Sequence, residues 1–188
     1  MSEAYFTSDS HFQHARIIEY CNRPFNSVQE MNITMIENWN AVVNPADTVY
    51  HLGDFAFINS ATELELLTEK LNGIIHLITG DHDRYIDKHK KDCYKYFGSI
   101  TENYKKIKVN GREITLCHYA MKKWHKSHYG TWHLYGHSHG SLLDDPNSLS
   151  FDVGVDCHNF TPLHFDQVKE TMNKKMFKPI DHHGEKSV

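Results

Sequence analysis

The sequence predicts an α/β or mixed α+β layered fold, and three observations carry that reading. In the first half, short apolar runs alternate with helical patterns in the order βα, βα, βα. The second half is richer in consecutive strands. No internal repeat or linker interrupts the 188 residues, a length for which one domain is the default. We expect that domain to span residues 1–176 and residues 177–188 to form a loosely held tail.

Each element has its own signal. Ala4 to Thr7 reads as a short buried strand ending at Ser8-Asp9. Ser27-Val28-Gln29-Glu30 has the form of a capping box. Val28, Met31, Met35, Trp39 and Val42 then recur on one helical face, with Pro45 just beyond. Thr48 to Leu52 is a strand closed by Gly53-Asp54, and Ser60 to Glu63 is a second capping box. Leu64, Leu67 and Leu71 follow on one face, and Asn72-Gly73 should end that helix. Ile74 to Thr79 is a strand ending at Gly80-Asp81. Lys105 to Val109 and Glu113 to Cys117 flank Asn110-Gly111, a strong hairpin signal. Trp132 to Tyr135 reads as a strand, Ser150 to Asp156 as a half-buried strand, and Phe165, Val168 and Met172 as the face of a last helix.

Composition narrows the function. Hydrophobic residues make up 39%, enough for a core, and no stretch approaches the roughly 20 apolar residues of a membrane span. Met1 to Ser10 lacks the basic and apolar regions of a signal peptide, so a cytoplasmic location is expected. None of the four cysteines sits in a CxxC pair, which argues against a zinc ribbon and for reduced, mostly buried thiols. A net charge of −4 disfavours broad nucleic-acid binding but leaves room for a small phosphate-bearing substrate, because bound metals would supply local positive charge. Histidine is the outlier, with 16 copies.

Those histidines fall into a pattern. Five segments place metal-capable side chains after predicted strands: Asp9-Ser10-His11, Gly53-Asp54, Gly80-Asp81-His82-Asp83, Cys117-His118-Tyr119 and Gly136-His137-Ser138-His139. Singly each is weak. Jointly they mix carboxylates and imidazoles with no thiolate, which suits Mn²⁺, Fe or Zn²⁺ better than Ca²⁺ or Mg²⁺ alone. They also exceed what one catalytic zinc uses, so two adjacent metals are expected.

The ordered set DxH, GD, G-x-H-D, H, GHxH resembles the calcineurin-like metallophosphoesterases, in particular their small single-domain bacterial and phage members. The likeness runs over roughly residues 4 to 168. It implies two central mixed β-sheets flanked by helices. It implies that Asp9, His11 and His139 hold one metal, that His118 and His137 hold a second, and that Asp54 bridges them. It assigns His82 to the phosphoryl group as a general acid and Asp83 to orienting that histidine. One position departs: the family has Asn where this chain has Asp81, whose shape would keep coordination of the second metal while its added charge lowers or alters turnover. Mn²⁺ is the metal most expected, with Fe, Zn²⁺, Ni²⁺ or Mg²⁺ as alternatives. Phe12-Gln13-His14, Tyr20 to Phe25 and Asp152 to Asp156 also look like the small-member pattern, with roles less defined.

The expected chemistry is phosphoester hydrolysis through a metal-bridging hydroxide, on a nucleotide or other small phosphodiester. Two cations about 3.5–4 Å apart neutralise the phosphoryl oxygens, lower the pKa of a bridging water and align it for attack. A free imidazole titrates near about 6.5, which suits histidine to general-acid work. Cys117, next to His118, should point to the opposite strand face. Candidate substrate contacts are His14, Arg16, Arg23, Arg84, His125 and His128. Arg23 could fork onto a phosphate or form a surface ion pair. His125 and His128, with Trp124, lie in a loop that could cap the site and stack a base, or simply be solvated. Three rivals stand: a phosphomonoesterase (protein phosphatase included), a nuclease, and a metal-binding scaffold without turnover, for which Asp81 is the only support.

Overall fold

The computed structural model describes residues 2–179. Two β-sheets form the centre. The first has the order β4-β3-β2-β1-β9, from β1 (Ala4–Thr7), β2 (Thr48–His51), β3 (Ile74–Ile78), β4 (Ser99–Thr101) and β9 (Leu163–His164). Its first four strands run parallel and β9 is antiparallel. The second has the order β5-β6-β7-β8, from β5 (Tyr104–Val109), β6 (Arg112–Cys117), β7 (Trp132–Tyr135) and β8 (Ser150–Asp152). Here β5-β6 is an antiparallel hairpin, and β6, β7 and β8 are parallel. The helices are α1 (Arg16–Tyr20), α2 (Val28–Val42), α3 (Ala61–Thr68), α4 (Arg84–Lys88), α5 (Lys90–Cys93) and α6 (Phe165–Asn173). This is the layered sandwich of two mixed sheets flanked by helices. Among the described residues no helix is long and apolar enough to cross a membrane.

Two apolar layers follow from strand alternation. In β1, Tyr5 joins the layer under the helices and Phe6 the layer between the sheets; in β2, Val49 and Tyr50 divide likewise. The helix-side layer takes Met31, Met35 and Trp39 of α2 with Leu64 and Leu67 of α3. The inter-sheet layer joins Phe6, Leu52 and Ile78 to Ile114, Leu116, Leu134 and Phe151, and α6 closes it with Phe165, Val168 and Met172.

Local differences from the sequence reading have local causes. Ser27 and Ser60 cap their helices by accepting from Glu30 and Glu63 amides at 3.2 Å, but each glutamate reaches one residue further back than a capping box requires, to the amides of Asn26 and Asn59 at 2.7 Å. The complete box is at His164 and Gln167, a pair whose histidine cap the sequence signal does not cover. The helix α3 stops at Thr68 rather than at Asn72, because Lys70 and Leu71 bond three residues back and tighten the chain into turns. The strand expected over 150–156 ends at Asp152, whose carboxylate accepts the Gly154 amide at 2.7 Å and pulls the chain out of the ladder. Of the expected tail, residues 180–188, with His182 and His183, lie outside the described residues. The part before them is tied down: Lys178 donates its amide to Asn147 at 2.8 Å.

Candidate metal centre

Parallel strands bring like ends together. Thr7, His51 and Leu77 are register partners across β1, β2 and β3, so the segments leaving those strands share one edge. Leu116 and Leu134 are register partners in β6 and β7, and the loops after them meet the same edge. The two halves are stitched directly. The His137 amide donates to both oxygens of Asp9, at 3.0 and 2.9 Å, and the Gly136 amide to the His118 carbonyl at 2.9 Å. Gly136 sits so close to Ser8 Oγ and Asp9 Oδ2 that a side chain there would overlap both.

The seven residues expected to hold metals converge on this edge. Ligand atoms of Asp9, His11 and His139 lie within 4.8 Å of one another, and so do those of Asp81, His118 and His137. A third such group, Asp9, Asp54 and His118, joins the first two. Asp9, His11, Asp54 and His118 are buried, whereas Asp81 and His137 are about half exposed, so the pocket opens on their side. Asp9, His11, Asp54, His137 and His139 all have positive φ, an unfavourable backbone region for residues with a Cβ. Left-handed turns aim their side chains back over the strand ends.

Three histidines have one ring nitrogen already engaged, which leaves the other facing the centre. His118 Nδ1 donates to the Leu52 carbonyl at 2.8 Å, and its Nε2 lies 3.6 Å from Asp54 Oδ2. His139 Nδ1 meets Asp156 Oδ2 at 2.6 Å. His11 Nδ1 lies 3.2 Å from His14 Nδ1, and its buried Nε2, 3.3 Å from Asp54 Oδ2, has no well-formed hydrogen bond. An imidazole nitrogen without a partner beside two buried carboxylates is what a cation site requires.

Electrostatics agree with that fit. Burial pushes Asp9 well above the ordinary carboxylate range, and the neighbouring Asp152 and Asp54 add to it. Burial would raise Asp54 too, but the His11 contact, the nearby His118 and the His82 amide (2.8 Å) outweigh it and hold the group low. Burial lowers His11 to about 4 and lowers His118, so both rings stand neutral and able to ligate. Crowded carboxylates and neutral imidazoles with no nearby free ammonium fit divalent cations.

The residues expected around the metals fare differently. The His82 ring lies 5.2 Å from His11, and 5.7 Å from His14. His14 reaches the site although α1 starts only at Arg16, and it stacks on Phe57 at 4.5 Å. Asp83 needs correcting: its buried carboxylate accepts the amides of Asp54, Phe55 and Gly80, each at 2.9 Å, rather than orienting the His82 ring. It ties two ligand-bearing loops together, and burial raises it to about 7. Arg23 is also corrected. It is buried, forks onto Asp156 at 2.8 Å twice, donates to the Asp9 and Ser10 carbonyls and points its fifth N–H at Met31 Sδ (3.4 Å), so no donor remains for a phosphate. His125 and His128 lie away from the centre. Their loop packs over the outer face of the second sheet, where Trp124 covers His133, His125 lines a cavity with Lys106 and Thr115, and the His128 ring lies tilted against Tyr129. Arg16 and Arg84 are exposed at the first positions of α1 and α4.

Two contributors, Asp156 and Tyr119, had no clear sequence signal. Asp156 holds both His139 and Arg23, and the segment containing it stood out only as a pattern. The Tyr119 hydroxyl donates a short hydrogen bond to Asp81 Oδ1. Cys21 lies within 4.8 Å of His139 and Asp156 ligand atoms, but the Arg23 guanidinium already occupies Asp156 and burial raises the thiol to about 11, so this group adds no cation site to the two triads. Of the cysteines, Cys93 and Cys117 are buried, Cys21 half-buried and Cys157 exposed.

The sequence profile of the calcineurin-like phosphoesterase superfamily domain matches residues 3–153. The chain is 37% identical over 180 residues to an uncharacterised protein of Methanocaldococcus jannaschii, covering 93% of each. It is 26% identical over 198 residues to the gene 66 protein of Mycobacterium phage D29, covering 92% of this chain and 97% of that protein. Among solved structures, a protein of unknown function from Aquifex aeolicus is similar with a TM-score of 0.69 and 25% identity, over 90% of this chain and 99% of that one. A domain matched over most of the chain, on a fold shared at that level, settles membership: this chain belongs to the calcineurin-like phosphoesterase superfamily.

Proposed function

We propose that the protein is a phosphodiesterase that hydrolyses a nucleotide or other small phosphate ester with two divalent cations, Mn²⁺ first among them. The observation that carries this is the convergence of seven carboxylates and imidazoles from five segments into two adjoining triads joined by Asp54. Asp9, His11 and His139 would hold one cation, Asp81, His118 and His137 the other, with Asp54 between. When bound, the pair supplies positive charge to the phosphoryl oxygens and makes water a competent nucleophile near neutral pH.

The chain supplies the rest. Asp156 fixes His139 and Leu52 fixes His118, so both rings are preorganised. Asp83 holds the Asp54 and Gly80 loops at a set spacing through three amides. The His82 amide donates to Asp54 Oδ1, which anchors the imidazole beside the centre, where it can give a proton to the leaving oxygen. No cysteine or serine nucleophile is required.

The test is metal analysis joined to hydrolysis of bis-p-nitrophenyl phosphate and p-nitrophenyl phosphate. Wild type should carry about two metals per chain and prefer the diester. Asp54→Ala should lose metal and more than about 100-fold in activity. Preference for the monoester would favour a phosphomonoesterase, and activity surviving EDTA would contradict the mechanism.

A further inference from the structure

We infer that the substrate's organic group on the Asp81 side is a neutral nucleoside whose far end carries no second phosphate. This rests on the phosphoesterase reading above and names the substrate class of that same site. A cavity of about 540 Å³ opens beside Asp81, on the exposed side of the pocket. That volume falls within the range of about 300–1,000 Å³ common for small-molecule sites. Tyr104, Tyr119 and Met121 give it apolar and aromatic walls, and Tyr104 is 50% exposed, a face free for a ring to lie against. Asp87 and Glu102 supply acceptors for hydroxyl groups.

The charge pattern makes the choice. No lysine or arginine lines this cavity. Lys90 reaches Glu102 at 2.9 Å, so its charge is already paired. A phosphate entering here would face the carboxylates of Asp81 and Asp87 with no lining cation to meet it, whereas sugar hydroxyls would donate to them. The Tyr119 hydroxyl is spent on Asp81, which leaves its ring rather than its oxygen to the cavity.

The test is isothermal titration of the Mn²⁺-loaded protein with inorganic phosphate, thymidine 5′-monophosphate and thymidine 3′,5′-bisphosphate. The monophosphate should bind about tenfold tighter than either of the others, through ring contact on one side and absence of like-charge repulsion on the other. Glu102→Lys should erase most of the difference between the two nucleotides. A bisphosphate that binds wild type as tightly as the monophosphate overturns the inference. So does a monophosphate no tighter than inorganic phosphate. Either result with bis-p-nitrophenyl phosphate still hydrolysed leaves the parent reading standing; a protein that binds none of the three ligands contradicts both.

Discussion

Arg23 and Asp81 show what a single side chain contributes. Arg23 is the sole guanidinium bound to Asp156 among the described contacts, and it also braces the chain at Asp9 and Ser10. Arg23→Met should leave a buried carboxylate with only His139 to offset it, at a cost of about 3 kcal/mol. In a domain of this size that lowers the melting temperature of metal-free protein by roughly 6–12 °C. An unchanged melting curve would show the ion pair to be dispensable. Asp81 puts a carboxylate at the open mouth of the pocket, where the proposed anionic substrate would pass. Asp81→Asn should keep both metals and raise kcat/KM on the diester about tenfold, read by steady-state kinetics at fixed metal. The candidate ligand residues were legible because each follows a strand end, and all but His118 stand beside glycine or serine. Arg23, His125 and His128 misled because sequence shows residue type but not whether a partner such as Asp156 has already taken the donors.

Elements were easiest to read where the period was clean. α2 spans Val28–Val42 as its apolar spacing predicts, and β1 and β7 begin and end where their apolar runs do. The hairpin is similar: Asn110 and Gly111 have φ of 46° and 81°, the two left-handed positions of a type I′ turn. A Cβ at Gly111 would meet nothing within 4 Å, so Gly111→Ala isolates the backbone cost. It should destabilise by about 1 kcal/mol with metal binding untouched, measured by urea titration. Short elements stayed hidden. α1, α4, α5, β4 and β9 have five residues or fewer and, unlike the equally short β1 and β7, no unbroken apolar run to mark them, so tertiary neighbours decide that they form.

Over the whole molecule, buried histidines make stability depend on acid. His133 is fully buried under Trp124; its Nδ1 donates to the Thr115 carbonyl and its Nε2 accepts the Met121 amide, both at 3.0 Å. Burial pushes its pKa down to about 4. In the unfolded chain the ring protonates near about 6.5, so between these values the unfolded state takes up the extra proton. The stabilisation is therefore complete above that window and is lost as pH falls through it. From about pH 7 to about pH 5, wild type should lose about 2 kcal/mol more than His133→Gln, by urea denaturation of metal-free protein. Parallel slopes for the two proteins would remove His133 from the account.

Gly136, wedged against Ser8 and Asp9, also constrains how the pocket can come into being. Four of its donors leave the first sheet and three leave the second, and this contact is where the halves are clamped. Neither half owns a complete cage. During synthesis the amino-terminal strands emerge first and carry an unfinished set, Asp9, His11, Asp54 and Asp81, which waits for the later strands to complete either triad. Under the proposed two-metal reading, capacity for either ion would be a late event in the life of each chain, because both triads take a histidine from the segment that follows β7.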